Sequence, residues 1–105
     1  MNDVVNALKQ GDAADVTQYF DNLVDIKLPN KDEVKNLSKT QAGITLRDFY
    51  SEQNIGRFEL ISQREMGGTG YIAGKLKGSD GHNYNITVMV KVKGNDATIV
   101  SIRIS

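Results

Sequence analysis

The stretch His82-Asn83-Tyr84-Asn85-Ile86-Thr87-Val88-Met89-Val90-Lys91-Val92-Lys93 decides the fold. Successive side chains of a strand point to opposite faces. Tyr84, Ile86, Val88, Val90 and Val92 therefore face one way, and Asn85, Thr87, Lys91 and Lys93 the other. One apolar and one wet face is the pattern of an antiparallel sheet covered on a single side. Turn residues bracket the stretch, Gly78-Ser79-Asp80-Gly81 before it and Gly94-Asn95-Asp96 after it. Past the second turn, Val100, Ile102 and Ile104 oppose Ser101 and Arg103 in a last strand of the same kind. Before the first turn, Gly67-Gly68-Thr69-Gly70 divides the run from Arg57 into two more strands. Four strands joined by short turns make an antiparallel meander.

Upstream of Arg57 the apolar period is helical. Val4, Val5 and Leu8 recur at helical spacing and Gly11 supplies the stop, predicting a helix over residues 3–10. Asp12 then caps a second helix whose stripe is Val16, Tyr19 and Phe20, ending near Asp21-Asn22. Leu23–Leu28 alternates and is stopped by Pro29, so it reads as a strand. The mixed charges of Lys31-Asp32-Glu33 and Lys35 read as a solvated loop. Ser38-Lys39-Thr40-Gln41 has the form of a capping box and opens a third helix with Ala42, Leu46, Phe49 and Tyr50 on one face, ended by Gln53-Asn54-Ile55-Gly56. Helices followed by a curved sheet covered on one side give an α+β class, and 105 residues with 39% hydrophobic side chains fit one domain, residues 1–105.

Composition narrows the function classes. Thirteen basic side chains balance thirteen acidic ones, so the basic excess that drives phosphate-backbone binding is missing and nucleic acid is disfavoured as a partner. The chain contains no Cys, which removes disulfides, thiolate metal sites and thiol nucleophiles. With a single His, no imidazole cluster forms, and no metal or cofactor is expected. No stretch approaches the ~20 apolar residues of a membrane helix, so no membrane span is expected. The neutrality conceals two unlike halves. Residues 1–52 carry 6 basic against 9 acidic groups, and residues 53–105 carry 7 against 4.

The order helix, helix, strand, helix and four antiparallel strands resembles the nuclear transport factor two-like, or cystatin-like, cone fold. Tyr19-Phe20-Asp21-Asn22, Val24-Asp25-Ile26 with Pro29, Asp48-Phe49-Tyr50, Ala73-Gly74-Lys75-Leu76-Lys77 and Ser101-Ile102-Arg103-Ile104 resemble a small uncharacterised bacterial domain-of-unknown-function family of that fold. Members of that family are typically exported behind a signal peptide, so the resemblance implies a periplasmic or extracellular setting. It brings no catalytic residues with it.

Enzymes on cones of this shape place an acid or base on the inner wall, and isomerase chemistry needs a carboxylate beside an oxyanion-stabilising Tyr. Asp25 and Glu59 fall on the polar side of their strands. Tyr19, Tyr50, Tyr71 and Tyr84 supply hydroxyls, although an aromatic at core spacing is ordinarily packing with its hydroxyl at the rim. His82 lies in a turn beside Asp80, where Asp and Gly are what a turn needs. Gly67-Gly68-Thr69-Gly70 precedes a strand instead of a helix, so it is a hairpin tip and not a phosphate cradle. Strict alternation from Phe58 and Leu60 points Ser62 and Arg64 toward the covered face. Either a bulge or rim position takes Arg64 to solvent, the favoured reading, or Arg64 lines the cone mouth and meets an anionic ligand. The candidate pocket is thus Tyr19, Tyr50, Ser62, Arg64 and Tyr84. A separate candidate is the outer sheet face, where Tyr71, Lys75, Met89, Lys91, Ile99 and Arg103 mix apolar and basic groups and suggest a homodimer contact.

Three functional readings are open. The first is a non-enzymatic module that binds a small molecule or a protein segment. The second is a small isomerase- or dehydratase-like enzyme using a pocket Tyr, and the third a structural accessory domain that dimerises through its sheet face.

Overall fold

A computed structural model describes residues 1–105. Two short helices, α1 (Asn2–Lys9) and α2 (Ala13–Thr17), are separated by Gly11, whose φ of +73° suits glycine. A Cβ at Gly11 would press on the carbonyl of Gly56, so this turn also fixes how closely the helical layer approaches the sheet. The Asp12 carboxylate accepts from the Ala14 N–H at 2.9 Å and caps α2. This helix stops at Thr17, four residues before the expected end. Tyr19 O accepts from Ile99 N–H, and Phe20 begins strand β1 (Phe20–Lys27), so a sheet partner claims the residues that helical spacing had assigned to the helix.

The charged segment after Pro29 is only partly a loop. Val34–Ser38 forms an edge strand, β2, antiparallel to β1. Most of its side chains are exposed and Asn36 has a φ of +59°, which spoils any readable alternation. Asp25 of β1 helps to pin it, accepting from Asn36 N–H at 2.8 Å. Ser38 ends β2 and caps α3 (Lys39–Glu52), its hydroxyl accepting from Gln41 N–H at 3.1 Å. Ala42, Leu46, Phe49 and Tyr50 of α3 are buried, as their spacing predicts.

The meander continues the chain as β3 (Ile55–Met66), β4 (Thr69–Gly78), β5 (Asn83–Lys93) and β6 (Asp96–Ile104), each antiparallel to the next. β1 then lies parallel to β6, giving one open six-stranded sheet of order β2-β1-β6-β5-β4-β3 with β2 and β3 at the edges. Three helices on a six-stranded open sheet realise the α+β class.

Two bulges redirect side chains. Between β5 and β6 the register jumps from Met89↔Ser101 to Val90↔Ile99, leaving Val100 as the extra residue. Ile99 is therefore fully buried in the core instead of lying on the outer face, which corrects its place in the proposed dimer surface. Between β3 and β4 the register jumps from Leu60↔Gly74 to Ser62↔Ala73, with Ile61 as the extra residue.

The core is a single cluster of 22 buried residues between the helices and the inner sheet face. Leu8, Leu46, Ile72, Leu76, Ile86, Val88, Ile102 and Ile104 are fully or almost fully buried, and no charged residue accompanies them. Each such aliphatic side chain stabilises the fold by about 1.5–3 kcal/mol through burial. Phe49 and Tyr84 close the cluster at one end, with ring centroids 5.3 Å apart in an edge-to-face arrangement. The interior of the cone is thus filled by side chains.

Candidate functional site

At that closed end, a cleft of about 470 Å³ opens outward between α3 and the loop after β1. Pro29 ends β1 and sends the chain through Asn30, at a φ of +62°, to form one wall with Lys31. The other wall is the solvent side of α3, where Thr45, Asp48 and Glu52 lie at helical spacing. Its floor is Phe49, Gln53 and Tyr84. The Tyr84 hydroxyl donates to Gln53 Oε1 at 2.6 Å, so β5 and the C-cap of α3 hold each other in place at the base of the cleft.

Electrostatically the cleft is acidic. Asp48 and Glu52 stand one turn apart, and like charges at that spacing repel. They also sit on the half of α3 whose carbonyl end carries partial negative charge, and the last turn holds no basic residue to compensate. Arg47 approaches Asp48 only at 3.8 Å, with both side chains largely exposed, so this ion pair offsets little of the repulsion. Lys31 is the single cation among the cleft residues.

The five residues expected to line one pocket are dispersed. Tyr84 is in the cleft. Tyr50 is on the neighbouring side of α3, beside a shallower hollow lined by Gly11, Asp12, Arg47 and Ser51. Its hydroxyl is buried without a hydrogen-bond partner. Burial, reinforced by the Asp12 carboxylate, pushes its pKa far above the ordinary tyrosine value. Tyr19 is half-buried against the core, and its backbone carbonyl serves the sheet. Ser62 and Arg64 leave the pocket altogether. Beyond the Ile61 bulge they face outward and border a groove with Met66, Tyr71 and Ala73, far from the helical layer. The bulge answers the parity conflict at Arg64 without burying its charge.

Inward parity along strands does not point to Asp48, Glu52, Thr45, Gln53 or Lys31, because this cleft uses the outward side of a helix and a loop. The signal that points to them is the uncompensated i, i+4 carboxylate pair at the carbonyl end of α3. His82 is exposed in its turn, with Nδ1 3.3 Å from Asp80 Oδ2.

On the outer sheet face, Tyr71 is flanked across the strands by Arg64 and Met89. Lys75 and Lys91 share that face. Lys77 Nζ binds Glu59 Oε2 at 2.8 Å, holding the Glu59 carboxyl below its ordinary pKa, and Arg103 pairs with Glu33 at 3.3 Å. No helix is long and apolar enough to cross a membrane.

Comparison with known proteins agrees with this architecture. No curated protein matches the sequence. Among solved structures, a DUF4783 family protein from Bacteroides ovatus superposes with a TM-score of 0.86 at 21% identity, covering 99% of this chain and 92% of its own. One from Bacteroides uniformis gives 0.85 at 25% identity, covering 99% and 94%. A designed nuclear transport factor two-like protein gives 0.73 at 14% identity, covering 99% and 91%, which shows the fold alone. The family model described as "Domain of unknown function (DUF4783)" matches residues 1–105, and the chain is a member of that family on a nuclear transport factor two-like fold.

Proposed function

We propose that this domain is a non-catalytic binding module that holds a small polar ligand, rich in hydrogen-bond donors, in the acidic cleft at the end of α3. The observation that carries the reading is the division of the molecule into a filled apolar interior and an open polar cleft floored by the Tyr84–Gln53 hydrogen bond. Neither hydroxyl an enzyme of this shape would draw on is free to meet a substrate. Tyr84 already donates to Gln53, and Tyr50 is enclosed by the core. The cleft residues fit a donor-rich guest: two carboxylates, the Thr45 hydroxyl and the Asn30 side chain surround an aromatic floor. A cationic ligand would also relieve the Asp48–Glu52 repulsion, so binding and helix stability are coupled. The export implied by the family resemblance belongs to this reading, and a leader sequence in the upstream coding region tests it.

A thermal-shift screen of small polar amines and amides is the direct experiment, since a ligand that binds only the native state raises its melting temperature. Binders should stabilise the wild type and lose that effect in the Asp48→Asn/Glu52→Gln double variant. Binders whose stabilisation survives the double variant would contradict the cleft assignment.

A further inference from the structure

The cleft reading leaves the opposite side of the sheet unused, and that side is not an ordinary solvated face. Tyr71 is 40% exposed near the start of β4, and the cross-strand row Arg64–Tyr71–Met89–Ser101 runs through it. Ala73 and Met66 extend the apolar surface toward the edge strand, around a groove of about 510 Å³. Met66 is 63% exposed and Ile61 57%, so large apolar side chains continue along the last half of β3. This half of β3 is the free edge of the sheet.

Charge decides what fits there. Of the basic side chains on this face, Lys77 and Arg103 are neutralised by Glu59 and Glu33. Arg64, directly across from Tyr71, and Lys91, one outward position past Met89, have no ion-pair partner, whereas Lys75, four residues along β4, stands opposite the Glu59 carboxylate. An apolar centre flanked by unpaired cations has the anatomy of a docking patch, with an aromatic anchor and a charged rim. A second copy of the chain is a poor occupant. In a two-fold contact the same patch meets itself, so the unpaired Arg64 and Lys91 would face their own copies. We propose that the outer face around Tyr71 docks an acidic protein segment carrying apolar side chains, an extended stretch that seats its apolar groups over Tyr71, Met89 and Met66 and its carboxylates on Arg64 and Lys91. Beside β3 such a segment also has a free strand edge to pair with.

A random copolymer of Glu and Tyr is a defined probe of this chemistry, with poly-Glu and oligothymidylate as controls. Fluorescence titration should show the copolymer binding in a salt-dependent manner and at least tenfold more tightly than either control. Tyr71→Ser should weaken it about tenfold, and Arg64→Gln/Lys91→Gln should flatten the salt dependence. Both variants alter solvent-facing side chains, so each should keep the wild-type melting temperature. Sedimentation equilibrium should report a monomer. Equal binding of all three polymers would overturn the proposal in favour of bare polyanion attraction, as would no binding of the copolymer. A dimer that Tyr71→Arg dissociates would overturn it in favour of a second copy. None of these outcomes depends on the acidic cleft, which lies on the helical side.

Discussion

The Tyr84 hydroxyl donates to Gln53 Oε1 at 2.6 Å, joining the middle of the meander to the C-cap of α3 across 31 residues of sequence. That bond closes the filled core on one side and floors the cleft on the other. Tyr84→Phe removes the donor while keeping the edge-to-face contact with Phe49, and a typical intramolecular hydrogen bond contributes about 1 kcal/mol. Urea unfolding should therefore show a loss of about 1 kcal/mol. Tyr84→Ala, which also empties the ring's site, should cost about 3–5 kcal/mol.

Tyr50 behaves oppositely. Its hydroxyl is buried with no partner, so it contributes desolvation cost without a compensating bond. Tyr50→Phe should be neutral or stabilising at pH 7. Because burial raises the phenol's pKa in the folded state above the ordinary 10.0, the unfolded chain releases this proton first as pH rises. The stability tied to this group is fully present below pH 10 and is lost above it, at about 1.4 kcal/mol per pH unit. Chemical denaturation of both proteins from about pH 8 to 11.5 should show the wild type losing ground to Tyr50→Phe only above about pH 10.

Glu59 offers a second titration of opposite sign. Hydrogen bonding and charge attraction from Lys77 hold its carboxyl below the ordinary 4.5. The pair's contribution is present above pH 4.5 and lost as pH falls through the depressed value. Side-chain carboxyl NMR should find Glu59 titrating low in the wild type and closer to the ordinary value in Lys77→Met.

Gly74 packs where a side chain has no room. A Cβ there would lie 2.6 Å from the Phe58 ring and would collide with the Glu59 backbone carbonyl. Gly74→Ala should destabilise by about 1–3 kcal/mol, the usual cost of overpacking, and its unfolding midpoint should drop accordingly.

Much of this fold is legible in local chemistry. Asp12 and Ser38 announce two helix starts, Pro29 ends β1, and the alternation of β5 separates its faces without error. The reading fails wherever a partner strand overrides local pattern. Phe20 leaves its helical stripe to pair with Ile99, β2 hides behind exposed charges and a left-handed Asn36, the extra residue Ile61 turns Ser62 and Arg64 outward, and the extra residue Val100 turns Ile99 inward. Bulges are tertiary adjustments to sheet curvature and carry little sequence signal of their own. The cleft is hidden from local pattern for a related reason. Loop Asn30–Lys31 and helix residues Asp48 and Glu52 meet only because β1 and α3 pack side by side.

The most direct test of a filled interior with an open cleft is an NMR titration of the wild type with the polar amines that score in the thermal screen, tracking amide and methyl resonances together. The account predicts that amides of Asn30, Lys31, Thr45, Asp48, Glu52 and Gln53 shift while the methyl groups of Ile72, Leu76 and Ile86 stay in place. Ligand-induced shifts concentrated in those core methyl groups, with the cleft amides unmoved, would contradict it.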